Sequence, residues 1–455
     1  MTAIAACFVF AILPILPVLP IPSLQPSCPP SAYRVAPVDE SRVFAKVAWR
    51  VLPLLTIAYV FNYLDRNNIG FAALTMNREI GLTATAFGRG AGMLFVGYCF
   101  LEVPSNMILY RVGARRWLAR IMITWGLVSA ATIFVTGAWS FYLLRFLLGA
   151  AEAGFFPGVA FYLSHWFPAD YRTRVVAWFM VAIPISSVVG GVLSGALLQM
   201  NGILGLAGWK WLFILEGLPV TVLGLVLLGV LTERPEEATW LTDAERAVIS
   251  ARVAGEVKHN EVRHLLPALA DARVLILAAV QFGFLVGSYG VGIWLPQIVQ
   301  KGHLSNFEVG LVTSGVYAFA SIAMIVWANH VDRGGNKVVN LALACLVSGI
   351  GLVGAIVATN FWVSVAWLTV SLAGINGARG IFFTIPMRFL TGLALAGGLA
   401  FINSIGTAGG FVGPQIMGWL VDRTGSFSVG LGALAGFLFA SAAAAWSLKL
   451  FVKRD

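Results

Sequence analysis

The chain has 455 residues, 59% of them hydrophobic and only 11% charged, with a mean hydropathy of +0.86. A soluble domain carries about 25% charged residues, so this composition excludes an ordinary soluble enzyme or binding module. The net charge of +10 is not a nucleic-acid signature in such a chain, because what matters is where along it the Lys and Arg fall.

Residues 1–42 read as an N-terminal tail. Its apolar stretch carries Pro14, Pro17, Pro20 and Pro22 with no Lys or Arg before it, which fits neither a signal peptide nor a spanning helix. Two readings stay open: a disordered tail, or a start assigned upstream of the true one. From there, apolar runs long enough to cross a bilayer (about 20 residues) recur to the end of the chain. With no water in the hydrocarbon layer, continuous apolar runs specify helices. Spans are predicted at 49–75, 87–109, 117–137, 139–163, 174–200, 209–231, 274–295, 307–328, 338–359, 361–386, 391–420 and 427–451. The fold class is an all-α membrane protein of twelve transmembrane helices in two six-helix halves, 43–231 and 274–455, joined by a polar linker, 232–273. In the linker, Thr242 and Glu245 form a capping-box pattern that predicts a short amphipathic helix to about Val257.

Lys and Arg distribute twenty-two to five between the two sides, which predicts both termini in the cytoplasm. The basic loop Tyr110–Arg116 and the loop Asp332–Lys337 match six spans apart. Such a repeat predicts parallel halves with a site between them near mid-membrane. Cys7, Cys28, Cys99 and Cys345 have no metal or disulfide spacing, and neither a metal nor a cofactor is expected.

The informative residues are the ionisable ones at depth, because each is expensive there. The first span holds Tyr59, Asn62, Tyr63, Asp65 and Arg66. Tyr59, Tyr63 and Arg66 share a stripe, with Asn62 and Asp65 on its flank. The fourth span holds Arg145 and Glu152 on one face. Two acids and two bases at similar depth can form a neutral cluster. An incoming carboxylate draws an Arg away from its acid, which then takes up a proton. Arg379 in the tenth span is either a residue reaching for the membrane surface or a second anion contact that suits a dicarboxylate. Glycine concentrates in the spans, where small residues let helices approach closely. No nucleophile constellation lies at depth, so an enzyme is not expected.

Several segments carry a resemblance. Asn62-Tyr63-Leu64-Asp65-Arg66-Asn67-Asn68-Ile69-Gly70 leads, followed by the stretch Arg145–Gly158, the stretch Trp209–Pro219 with Glu216, and Asn403–Gly406 leading to Gly413-Pro414. From about Val43 to its end the chain resembles the major facilitator superfamily, and within it the anion:cation symporters of phthalate, tartrate, hexuronates and galactonate. The resemblance implies that Asp65 and Glu152 carry protons, that Arg66 binds the anion and that Arg145 pairs with the acids. It places Phe383, Asn403 and Thr407 toward substrate. It also implies a conformational latch at Arg111, Arg115, Asp332 and Arg333, and another at Asp422 and Arg423. Two departures stand out: Tyr110 replaces a customary acid, and the Trp and Asn common near Phe383 and Thr407 are missing. Together these readings predict a monomeric, proton-coupled importer of a small organic carboxylate in the lipid bilayer of a bacterial inner membrane. The alternatives are uncoupled or exchange transport of the same anions, or a transporter-like sensor.

Overall fold

The computed structural model describes residues 39–254, 270–390 and 392–451; the tail up to residue 38 and the linker beyond 254 lie outside the described residues. The first half is built from α1 (Glu40–Glu79), α2 (Ala84–Val112), α3 (Ala114–Ala131), α4 (Ala138–Glu152), α5 (Phe155–Ser164), α6 (Ala169–Met180), α7 (Ala182–Leu197) and α8 (Gly208–Val230). The linker helix α9 (Asp243–Ala254) follows. The second half holds α10 (Ala272–Gln300), α11 (Asn306–Asp332), α12 (Lys337–Val357), α13 (Phe361–Phe382), α14 (Gly392–Thr424) and α15 (Phe427–Ser447). Among the described residues, 11 helical stretches are long and apolar enough to cross a membrane. The 33-residue α14 supplies the twelfth span. Spans four and five each comprise two helices, α4 with α5 and α6 with α7.

The first span is longer than its apolar core. Its helix starts at Glu40 and runs to Glu79 as a single 40-residue element. Span four breaks after Glu152, a feature that continuous hydrophobicity did not reveal. Gly154 takes φ +89°, a left-handed conformation that a side chain disfavours. The carbonyl of Ala153 accepts from the Ser105 hydroxyl at 2.6 Å, and Trp117 Nε1 donates to the same Ser105 oxygen at 3.0 Å. A break at membrane depth survives only where such partners satisfy the freed backbone. The linker helix forms as its capping box requires. Glu245 Oε2 accepts from the Thr242 amide at 2.8 Å, and Thr242 Oγ1 accepts from the Glu245 amide at 3.3 Å. Lys46 also binds Glu245, at 2.8 Å, and that hydrogen bond holds the half-buried carboxyl below its ordinary range.

The repeat seen in two loops extends to the packing. In the first half α1 packs on α7 and α8, α2 on α4, and α3 on α8 and α4. Six spans later α10 packs on α14 and α15, α11 on α13, and α12 on α15 and α13. Each contact has its counterpart, so the halves are two copies of one arrangement. The matched loops also share a turn: Gly113 and Gly334 both take positive φ, +96° and +122°.

The halves meet through α2 with α14, α7 with α11, and α1 with α10. Close backbone approach is visible toward one end of the bundle, where the loops at 80–83, 301–305 and 425–426 lie. A Cβ placed on Gly310 would sit 2.3 Å from the Gly191 carbonyl oxygen, and one on Gly88 would sit 2.2 Å from that of Pro414. At the same end the Asp422 carboxylate accepts from the Ala84 and Thr85 amides at 2.9 and 2.7 Å. The last turn of α14 thereby caps the first turn of α2 across the interface, where free N–H groups and the helix dipole favour a negative charge. We call this the sealed end.

Two outcomes follow. Gly149 lies so near α2 that a Cβ would fall 1.8 Å from the Leu94 carbonyl oxygen. Gly149→Val should therefore lower the midpoint of thermal unfolding in detergent by several degrees or abolish the folded protein, whereas Gly229→Ala, with nothing within 4 Å, should not. Asp422→Ala removes both trans-capping bonds; labelling of cysteines placed at the sealed end should rise severalfold while the melting midpoint stays near wild type.

Candidate functional site

The break after Glu152 ends α4 at the level where α1 carries its polar residues. The Arg66 Nε donates to Glu152 Oε2 at 2.9 Å, with the Glu152 side chain 0% and that of Arg66 13% exposed. The guanidinium lies over two aromatic rings, 5.0 Å from that of Tyr98 and 5.6 Å from that of Tyr63. Tyr63 in turn meets Tyr59 edge-on at 5.2 Å. Tyr59 stacks on Phe179 at 4.3 Å, so an aromatic wall from α1 and α6 backs the ion pair. The second half reaches the same place through α10: Tyr289 packs on Phe95 at 4.3 Å and faces the Arg66 guanidinium. Its neighbour Ser288 accepts from Arg379 at 2.8 Å. Guanidiniums from opposite halves thus converge on successive residues of one helix.

Two polar groups here are left short of partners. Glu152 Oε1 has no hydrogen-bond partner, nor have Arg145 Nε and Nη1, although Arg145 is 1% exposed. A buried guanidinium without hydrogen bonds costs several kcal/mol unless something arrives to pair with it. The resemblance gave Arg145 an acid partner; the ion pair belongs to Arg66 instead, and Arg145 faces Glu152 and Asp65 without closing a salt bridge to either.

Asp65 points away from this pair. Its oxygens accept from Ser129 Oγ at 2.6 Å, from Asn68 Nδ2 at 3.1 Å and from the Trp125 indole. Three donors from α1 and α3 therefore satisfy it inside the first half. Asn62 lies buried beside Glu152.

The C-terminal candidates spread out. Asn403 Oδ1 accepts from Gln281 at 3.3 Å, and the Thr407 hydroxyl donates to the Asn403 carbonyl at 2.8 Å. Both sit on α14 against α10. Phe383 caps α13 and meets Phe382 edge-on, with no described contact to the ion pair. The latch residues of the opposite end make no described contact with one another. Arg115 donates to the Leu228 carbonyl at 2.9 Å, and Arg111, Asp332 and Arg333 are exposed. Arg423 turns onto Trp419 at 4.3 Å, leaving Asp422 to hold the sealed end.

Sequence reasoning missed Tyr98, Tyr289 and Ser288, which carry no charge to mark them, and gave no role to Glu216. Glu216 was detectable, being an acid inside an otherwise apolar span, and it is 0% exposed. Among the described residues no group of His, Cys, Asp and Glu could hold a metal ion.

Comparison with known proteins follows this geometry. The Major Facilitator Superfamily pattern matches residues 55–414. A putative tartrate transporter of Agrobacterium vitis is 49% identical over 405 residues, covering 89% of this chain and 90% of that one. The putative metabolite transport protein NicT of Pseudomonas putida is 38% identical over 404 residues, covering 88% and 92%. Among solved structures, a bacterial homologue of the human lysosomal transporter Spinster superposes with a TM-score of 0.74 at 15% identity, covering 88% and 97%. With twelve spans in two repeated halves and the pattern matched across both, the chain belongs to the Major Facilitator Superfamily and is a multi-pass membrane transporter, not an enzyme.

Proposed function

We propose that this transporter carries a small organic carboxylate together with protons, by alternating access around the Arg66–Glu152 pair. The observation that supports it most is the imbalance at that pair. One carboxylate oxygen of Glu152 and most of the Arg145 guanidinium have no hydrogen bond, while Arg66 is tied to Glu152. An incoming carboxylate matches the guanidiniums in shape and charge. Once Arg66 turns to the substrate, Glu152 loses its opposite charge and takes up a proton, because an unpaired carboxylate in a dry site favours its neutral form. The loaded cluster is then neutral and the halves can rock about it.

Arg379, approaching from the second half toward Ser288, offers a second carboxylate contact. A dicarboxylate such as tartrate is the substrate class that fits, and the 49%-identical relative carries that name. The Lys and Arg bias supports a placement with both termini in the cytoplasm of a bacterial inner membrane. In that orientation the sealed end faces outward, which supports an inward-facing reading of this state. One polypeptide holds both halves, and the unit at work is a monomer.

The test is lumenal pH in proteoliposomes on addition of tartrate, phthalate, sugar acids and hydroxybenzoates in turn. Acidification by one of them is expected; silence across the panel, with folded protein, would turn the reading toward uncoupled exchange. Glu152→Gln should lose accumulation driven by a pH gradient yet keep part of its substrate exchange, and uphill accumulation by this variant would remove Glu152 from coupling. Arg66→Ala should weaken substrate binding by about 10–100-fold, the size of a lost charge-assisted hydrogen bond of roughly 1.5–3 kcal/mol. Unchanged affinity would take Arg66 out of the site.

A further inference from the structure

We propose that Glu216 is a third proton-carrying carboxyl, loaded at the sealed end through a small cavity between the halves and handing its proton on to Asp65. The proposal rests on the proton-coupled reading above and extends it to a residue with no part in that scheme. Glu216 lies on α8 and is 0% exposed. Its two partners are uncharged: Asn68 Nδ2 donates to Oε2 at 3.0 Å, and the Ser194 hydroxyl lies 3.1 Å from Oε1. No Lys or Arg among the described residues pairs with it. An ionised carboxylate in that setting carries the full cost of burial without compensation.

The same Asn68 nitrogen also reaches Asp65, at 3.1 Å. One amide group therefore holds two carboxyls side by side, and two acids so placed do not both ionise in a dry interior. Asp65 has three donors, and two of them, the Asn68 amide and the Trp125 indole, are N–H groups that cannot reverse. That arrangement suits the ionised form. Glu216 has two partners, and the Ser194 hydroxyl accepts as readily as it donates. Before the hand-off the proton of the pair sits on Glu216, with its O–H directed at the Ser194 oxygen.

A buried neutral glutamic acid could be a fixed piece of packing. What argues otherwise is its route to water. Asn68, Ser186 and Ser194 from the first half and Gly292, Thr313 and Tyr317 from the second line a cavity with room for about one water molecule. Asn68 Oδ1, Ser186 Oγ and Thr313 Oγ1 have no hydrogen-bond partner. Unsatisfied oxygens around a water-sized space are the setting in which buried water is found. The cavity straddles the α7–α11 contact, one of those that parts when the sealed end opens. Opening therefore wets the far side of Ser194, and closing isolates it again.

The proton balance is simple. At the open interface an O–H bond forms on Glu216 Oε1 as one breaks in hydronium from the outer solution, which returns to water, and Ser194 turns to accept. After closure the O–H on Glu216 breaks as one forms on Asp65, the two carboxyls being held side by side by the Asn68 amide; the pair's total charge does not change. The charged and titratable groups that face the pair are Glu152 and Arg145 on the Asp65 side, and Tyr317 across the cavity.

The test uses the full chain in proteoliposomes with whichever panel carboxylate acidifies the lumen. Proton-to-substrate ratio and accumulation at a one-unit pH gradient and zero membrane potential are measured for wild type, Glu216→Gln and Ser194→Ala. Glu216→Gln is expected to remain coupled but to move one proton fewer, so that its accumulation ratio falls about tenfold. Ser194→Ala should keep the ratio and shift the pH dependence of uptake. If both variants match wild type in stoichiometry and pH profile, Glu216 is fixed packing and the inference is overturned while the coupled reading stands. If wild type acidifies with none of the panel, it is the coupled reading that fails. Should Glu216→Gln not fold, as judged by its melting midpoint, the pH profile of Ser194→Ala decides alone: a shift supports the inference and coincidence with wild type overturns it.

Discussion

Everything in the first half is organised by the need to keep ionised groups paired where no water reaches. Arg66 and Glu152 lie in direct contact, Asp65 is wrapped by three donors, and Arg145 has two of its three nitrogens unfilled. Each departs from what an apolar core would do more cheaply, since hydrophobic packing holds helices as well as a buried ion pair does. The local breaks in the helices serve the same need. Glu152 ends α4 because the chain turns at Gly154, and that turn is supported by Ser105, which satisfies the carbonyl it frees and is itself held by Trp117. A kink that looks like a packing detail is thus part of how a carboxylate is presented to a guanidinium on another helix.

The second constraint is duplication. With the main helix contacts of one half repeated in the other, the halves are similar bodies that meet along related edges, α2 on α14 and α7 on α11. Two bodies in contact along such edges can rock, opening one end as the other shuts. The site sits on the line they share: Arg66 and Glu152 from one side, Tyr289, Ser288 and Arg379 from the other.

Hydrophobicity and charge made much of this legible. Twelve spans, the capping box at Thr242 and the polar knot of the first span all follow from periodicity and from the cost of charge in lipid. What stayed hidden has physical reasons. The partners of an intramembrane charge are set by helix rotation and depth, and a sequence read helix by helix fixes neither to better than a turn. Hence Arg145 was given the acid that Arg66 holds, and Asp65, on the flank of its stripe, turned out to face α3. The breaks in spans four and five were masked because hydropathy averages over Gly154 and Pro184. Tyrosines such as Tyr98 and Tyr289 look like ordinary aromatic packing until their partner is known.

The closure at Asp422 has an implication for how this protein changes over time. Its partners are the backbone amides of Ala84 and Thr85, which every residue except proline possesses. The Thr85 and Thr83 hydroxyls also reach the carboxylate, so the lock places a demand on three side chains and almost none on residue 84. Position 84 is free to drift without loosening the end it closes, and only proline there would delete a donor. A lock of this kind leaves an uneven signature in sequence: an acid on one helix answers two hydroxyls on another, with a tolerant position between them.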